Sequence, residues 1–288
     1  MRKEEKTMKI AENVHMIRQE FYVTPEVKRY INIYLITGES CYLIDSGVAG
    51  SERIIDEYLH SIGRNMPDIK GIFLTHAHPD HIGGTAEIKR ITDCKVYAPM
   101  LELDWIEDID IQYRERPIPN FYTLLSESVK VDVPLQDGDM VTLEEGLEIG
   151  VLLTRGHSHG SMSFIFGNNM IFTGDAIPVA HDLPIFVDYE QSLYSLERIN
   201  DLSNVQYFCP AWDEIYDRRN LDEVIKDSKR MLCKLKDAVH QVEKEYQQYN
   251  ESEKLTMIFK QADILQYVGN PLVVKSIDAC RKYLLQMN

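Results

Sequence analysis

The sequence predicts an α/β fold in two strand-and-helix halves, followed by a helical extension. Three patterns carry that expectation. Short apolar runs, closed by turns such as Gly38-Glu39-Ser40, Asp45-Ser46-Gly47 and Asp137-Gly138, recur through residues 14–98 and again through 129–209. Helical periods separate several of these runs. Beyond Asp217 the sequence turns charged and amphipathic.

Residues 14–20 and 31–36 predict strands, and 41–44 a third after the Gly38 turn, together a meander. In 51–62 the residues Ile54, Ile55, Tyr58, Leu59 and Ile62 repeat at helical spacing, with Ser51 placed to cap the start and Gly63 to end it. A buried strand over 72–75, a short helix over 85–91 and a strand over 95–98 complete the first half. Residues 100–128 are irregular, with Trp105, Tyr113, Arg114, Arg116, Pro117, Pro119, Phe121 and Tyr122 among acids. Such an insertion is either a lid that touches substrate or a piece packed on its own domain. The second half predicts strands over 129–133, 140–143, 147–153, 161–166 and 170–172, with turns at Asp137-Gly138, Glu145-Gly146 and Gly167-Asn168. A helix over 190–201 and a strand over 206–209 close it. Helices over 221–249, 255–267 and 272–285 follow, placed to cover a cleft, pair subunits or pack on a sheet.

Composition limits the function. With 288 residues and 44% hydrophobic content the chain can bury a full core. Lys+Arg 31 against Asp+Glu 46 gives a net charge of -15, which argues against a nucleic-acid partner because phosphates need basic surface. No apolar run approaches membrane-spanning length, and residues 1–9 lack the apolar stretch of a signal peptide, so a cytoplasmic location is expected. The cysteines (Cys41, Cys94, Cys209, Cys233 and Cys280) are odd in number without C-x-x-C spacing and read as reduced thiols, Cys41 and Cys209 as small buried hydrophobes.

Chemistry concentrates in His76-Ala77-His78-Pro79-Asp80-His81, which follows the apolar run 71–75 and precedes Gly83-Gly84. That is the carboxyl end of a strand, where α/β architectures place their sites. Imidazoles and a carboxylate at this density are first-row metal ligands, with zinc the default. Two later stretches, Arg155-Gly156-His157-Ser158-His159-Gly160-Ser161 and Thr173-Gly174-Asp175, again put an imidazole or carboxylate beside glycine at a strand end.

Leu43-Ile44-Asp45-Ser46-Gly47, Thr75 to Gly84, Gly156 to Ser161 and Phe172-Thr173-Gly174-Asp175, in that order, resemble the metallo-β-lactamase superfamily. The resemblance covers roughly residues 10–217, with 218–288 as a helical extension packed on that domain. It implies an αβ/βα sandwich, two mixed β-sheets flanked by helices, with the site along one edge. It also implies that His76, His78 and His157 hold a first metal, Asp80 and His81 a second, and Asp175 bridges both, with Asp45 as support beneath the loop. Its general layout is nearest to hydroxyacylglutathione-hydrolase-like members. Trp212 departs from the pattern, standing where a last ligand histidine is expected, and its indole donor cannot ligate. Three readings follow: three protein ligands plus water, replacement by Asp213, His159 or His181, or one metal only. His159, in place of a usual proline, lies two residues from His157 and points the same way if the segment is extended.

The leading expectation is hydrolysis of a thioester, ester or lactone-type small molecule, with a bound ion lowering the pKa of water and polarising the carbonyl. Asp80 is the expected proton acceptor; Arg114, Arg116, Tyr189 and His181 are candidate substrate contacts. One or two zinc ions are expected, with iron or manganese as alternatives. A mononuclear iron enzyme resembling persulfide dioxygenases, using His76, His157 and Asp175, and a non-catalytic metal-stabilised binder are the competing classes. A homo-oligomer is left open.

Overall fold

The computed structural model describes residues 7–167 and 169–287; residues 1–6 of the charged start, Asn168 of the expected Gly167-Asn168 turn and Asn288 lie outside the described residues. Seven strands form the first sheet in chain order: β1 (Thr7–Ala11), β2 (Val14–Thr24), β3 (Val27–Thr37), β4 (Cys41–Ile44), β5 (Ile69–Phe73), β6 (Lys95–Pro99) and β7 (Val133–Leu135). The first four pair antiparallel through short turns, and the last three join in parallel. Parallel pairing needs crossovers. These are α1 (Glu52–Ser61), then α2 (Pro79–Ile82) with α3 (Thr85–Thr92), then the insertion with α4 (Leu103–Glu107), α5 (Ile109–Glu115) and α6 (Phe121–Leu124).

The second sheet holds β8 (Met140–Glu144), β9 (Leu147–Leu153), β10 (Met162–Phe166), β11 (Met170–Gly174), β12 (Tyr207–Pro210) and β13 (Tyr216–Asp217) in the order β13-β12-β11-β10-β9-β8. Its one parallel pair among the described residues, β11 with β12, is connected by α7 (Tyr189–Asn200). The chain ends in α8 (Arg218–Glu245), α9 (Glu251–Gln261) and α10 (Pro271–Gln286).

Side-chain alternation makes four layers of these elements. In β3 and β4, Ile33, Leu35, Cys41 and Leu43 pack with Ile55 and Leu59 of α1, whereas Tyr34, Ile36, Tyr42 and Ile44 point between the sheets toward Phe164 and Phe172. In β11 and β12, Ile171 and Phe208 share a core with Leu232, Val239, Phe259 and Ile277 of the C-terminal helices, while Phe172 and Cys209 face inward. Strands covered on both faces read as continuous apolar runs, which is how the sequence shows them. The αβ/βα sandwich is present, and the C-terminal helices pack on the second sheet.

Local expectations need three corrections. Val129 and Val131 are buried but stand outside a strand, because Asp132 bonds Val96 through both its N–H and its carboxylate and pairing begins only at Val133. The insertion contains short helices, the α5 turn being capped by the Asp108 carboxylate. Ser51 occupies the cap position of α1, yet its hydroxyl donates to Ser46 O and caps nothing. Cys41 and Cys209 are buried free thiols; burial pushes Cys41 up to about 11 and raises Cys209 as well. No described helix is long and apolar enough to cross a membrane.

Candidate metal centre

The loop after β5 is shaped by its own sequence. His78 takes an extended conformation, and Pro79, fixed in φ, opens α2 at its first position, so the next turn presents Asp80 and His81. Gly83 has ordinary helical geometry; its role is close approach, since a Cβ there would collide with Leu124 O and lie 2.6 Å from Ala49 N.

Three imidazole nitrogens converge. His76 Nε2 and His157 Nε2 each lie 2.9 Å from His78 Nδ1. Their other nitrogens are occupied: His76 Nδ1 lies 3.0 Å from Thr75 Oγ1, and His157 Nδ1 donates to Ile185 O at 3.0 Å. Burial lowers all three pKa values, those of His76 and His78 well below 6.5, helped in each case by neighbouring cationic groups such as Arg116. Neutral nitrogens with facing lone pairs repel unless a cation sits among them. A tetrahedral zinc with Zn–N of about 2.0–2.1 Å holds its nitrogens roughly 3.3 Å apart, so the set fits.

A second set lies beside it. Asp175, the residue just past β11, reaches both: Oδ2 is 3.2 Å from His157 Nε2, and Oδ1 is 3.3 Å from His81 Nε2. Gly174 allows this, turning at φ +51 against the Thr75 side chain. His81 Nδ1 lies 2.7 Å from Asp45 Oδ2, and Asp45 also accepts from Thr75 N and Oγ1 at 2.7 and 2.8 Å. That orients the ring with Nε2 outward. His81 Nε2 and Asp175 Oδ1 are buried without a hydrogen-bond partner, and Asp80 Oδ2 lies 3.7 Å from the former. Orphaned buried atoms of this kind are what a cation satisfies. His76, His78 and His157, and separately His76, His81 and Asp175, are close enough to hold an ion; His76 turns its free nitrogen to the first set.

The sequence model of the Metallo-beta-lactamase superfamily matches residues 27–205. The chain belongs to that superfamily. It is 32% identical over 193 residues to a "probable metallo-hydrolase" of Methanocaldococcus jannaschii, covering 65% of this chain and 89% of that protein. It is 30% identical over 175 residues to a hydroxyacylglutathione hydrolase of Bdellovibrio bacteriovorus, covering 59% of this chain and 58% of that enzyme. Only somewhat more than half of the latter's length is therefore matched. A metallo-beta-lactamase family protein from Thermus thermophilus superposes with a TM-score of 0.73 at 17% identity, over 97% of this chain and 95% of that one, a likeness of fold. Membership makes this superfamily protein a metal-dependent hydrolase and leaves its substrate to the cavity.

Four expected contacts are not brought to the cluster. His159 is exposed because its loop does not alternate: Ser158 Oγ and Gly160 N both turn inward to Glu102, leaving the intervening side chain outside. His181 is also exposed. The Asp213 carboxylate accepts from Glu214 N and Tyr216 Oη in a tight turn. Tyr189 is buried in the helical core, its ring 4.8 Å from Tyr283 and its hydroxyl 3.4 Å from Cys233 Sγ. Asp213, His159 and His181 thus join neither ligand set in this structure. Trp212 lines the cavity wall edge-on to Phe21, and Arg114 points out, whereas Arg116 is buried against the cavity.

Sequence reasoning missed Glu102 altogether. At the start of the insertion, its buried carboxylate accepts from Ala77 N at 2.6 Å, from Gly160 N at 2.7 Å and from Ser158 Oγ. It thus ties the His76–His78 loop to the His157 loop. A lone Glu in an acidic insertion offers no pattern that would reveal this.

The two sets differ in proton affinity. Burial alone would lower His81, but Asp175, Asp45 and Asp80 outweigh it and raise it well above 6.5. In the metal-free protein a proton therefore competes for His81 Nε2 until pH exceeds that raised value, while the first set is already deprotonated above 6.5. Zinc titrations at pH 6.5 and 7.5 are expected to show an unchanged first equivalent and a second that tightens by about tenfold per pH unit. Equal slopes for both equivalents would contradict this assignment.

Proposed function

We propose that the chain hydrolyses an acyl thioester, ester or lactone of a small, largely apolar molecule at a zinc centre held by His76, His78 and His157, with His81, Asp175 and Asp80 for a second ion. The observation that carries this is the opening of both sets onto one cavity of about 560 Å³, bounded by Phe21, Val27, Ile118, Ile177 and Leu272. A pocket of that size and character takes a small molecule with an apolar arm. Relatives named hydroxyacylglutathione hydrolase act, by that name, on an acylglutathione, which supports the thioester class.

A bound zinc ion supplies Lewis acidity and a water of lowered pKa. The chain's own residues do the rest. Asp80 faces the cavity from α2 and accepts the proton released as water adds to the acyl carbon. Asp175 spans the two sets, and Asp45 and the Ile185 carbonyl fix the rings of His81 and His157. Water adds across the acyl bond to give a carboxylic acid and a thiol or alcohol. The apolar walls keep bulk solvent from the bound acyl group.

His78 Nδ1, 2.9 Å from both partner histidines, favours three nitrogens over the two-histidine, one-carboxylate set of the iron oxygenase reading. Elemental analysis with a metal-to-chain ratio, followed by a panel of S-acyl thioesters and lactones, is the test. Zinc at one or two per chain with turnover on the panel is expected; a single iron with oxygen uptake on a persulfide would displace the hydrolase.

A further inference from the structure

Two arginines line the cavity, and they differ in their partners. Arg29 is engaged: its terminal nitrogens meet the Asp182 carboxylate at 2.5 and 3.0 Å. Arg116, only 7% exposed, lines the same cavity beside His78, Asp80, His157 and Asp175, yet its side chain makes no hydrogen bond or ion pair among the described residues. None of its nitrogens is among the described side-chain atoms buried without a partner, so they meet the cavity rather than the protein interior. Burial lowers its pKa to about 10 against the pull of Asp80, Asp175 and Glu102, so the group stays charged at neutral pH.

The backbone holds this cation in register with the histidines. Arg116 N donates to Gln112 O at 2.7 Å, and the Gln112 side chain donates to the Ala77 carbonyl between His76 and His78. Pro117 and Pro119 stiffen the segment that follows. These contacts fix where Arg116 leaves the backbone.

We propose that Arg116 anchors a carboxylate carried by the substrate, so that the molecule hydrolysed bears an anionic group near its scissile acyl bond and an apolar arm beyond it. This rests on the hydrolase reading above. Negative charge developing on the attacked carbonyl is the metal's to stabilise. A planar fork of donors at the edge of that site matches a planar anion that the substrate brings already formed.

The test uses the metal-loaded protein, its Arg116→Gln and Arg116→Lys variants, and two pairs of probes. Octanoate and 1-octanol are compared by calorimetry; the S-phenyl monothioester of glutaric acid and the neutral S-phenyl pentanethioate are compared by kcat/KM. Arg116→Gln is expected to weaken octanoate at least about tenfold while sparing 1-octanol, and to cut the glutaryl preference by a similar factor, as loss of a charge-assisted pair implies. Arg116→Lys restores part of both and decides the matter if the glutamine variant does not fold. Unchanged octanoate affinity overturns the proposal. So does an equal fall in kcat on both thioesters, which would assign Arg116 to the transition state. If neither thioester nor any lactone turns over while octanoate still depends on Arg116, the hydrolase reading fails and the anion anchor stands.

Discussion

Asp80→Asn is expected to lower kcat by about 10²- to 10⁴-fold on any thioester or lactone the protein hydrolyses, the range that general-base assistance contributes. Asp80 is the carboxylate that combines position with chemistry. It sits in α2, two residues past His78, and faces the cavity, with Oδ2 3.7 Å from His81 Nε2. In the metal-free protein burial raises its pKa, with His81 opposing the rise and Asp175 adding to it. Asparagine keeps the shape and the helical position but accepts no proton. The nitrogens of His76, His78 and His157 are untouched, so one ion per chain should remain while a second weakens. Steady-state kinetics measured together with the metal-to-chain ratio separate the two effects. An Asp80→Asn protein with full turnover would remove Asp80 from the mechanism, and a full set of other functions without turnover in either form would point to the non-catalytic binder.

Much of the fold was legible because both sheets are covered on both faces. Strands such as Cys41–Ile44 stand out as unbroken apolar runs between turns, and the helical period of α1 ends at Gly63 as the glycine suggests. The ligand loops were legible for a different reason. His76, His78, Asp80 and His81 lie within six residues, so spacing marks that loop, whereas His157 and Asp175 are weak signals singly and enter through what the superfamily resemblance implies. What stayed hidden depends on distance through space. β1 lies in a charged edge segment whose partner is β2, and no apolar period announces it. The insertion looked irregular because its helices are one or two turns long, too short for a period to register. The alternation argument for His159 failed because Glu102, 57 positions earlier in the chain, pulls both neighbours of that residue inward. Arg116 and Arg114 are indistinguishable in sequence, and only the α5 terminus decides which is buried.

Glu102 carries the other large expectation, because among the described residues its one carboxylate bonds the backbone of both histidine loops. One carboxylate oxygen accepts from Ala77 N and the other from Gly160 N and Ser158 Oγ. Glu102→Gln keeps the volume but has only one acceptor oxygen. Whichever way the amide turns, its NH₂ meets a backbone N–H, so either the His76–His78 loop or the His157 loop loses its bond. An orphaned buried N–H costs about 1–3 kcal/mol. Releasing either loop also loosens the 2.9 Å convergence of nitrogens, and partners that orient ligands typically contribute about 10- to 100-fold in metal affinity. Glu102→Gln is therefore expected to weaken the first zinc by up to about 100-fold, measured by competition with a chromophoric chelator, and Glu102→Ala by at least as much. Thermal unfolding of the metal-free variants isolates the stability loss. A residue that only filled space would lower that stability and leave zinc affinity as it was, whereas a residue that holds two loops in register lowers both.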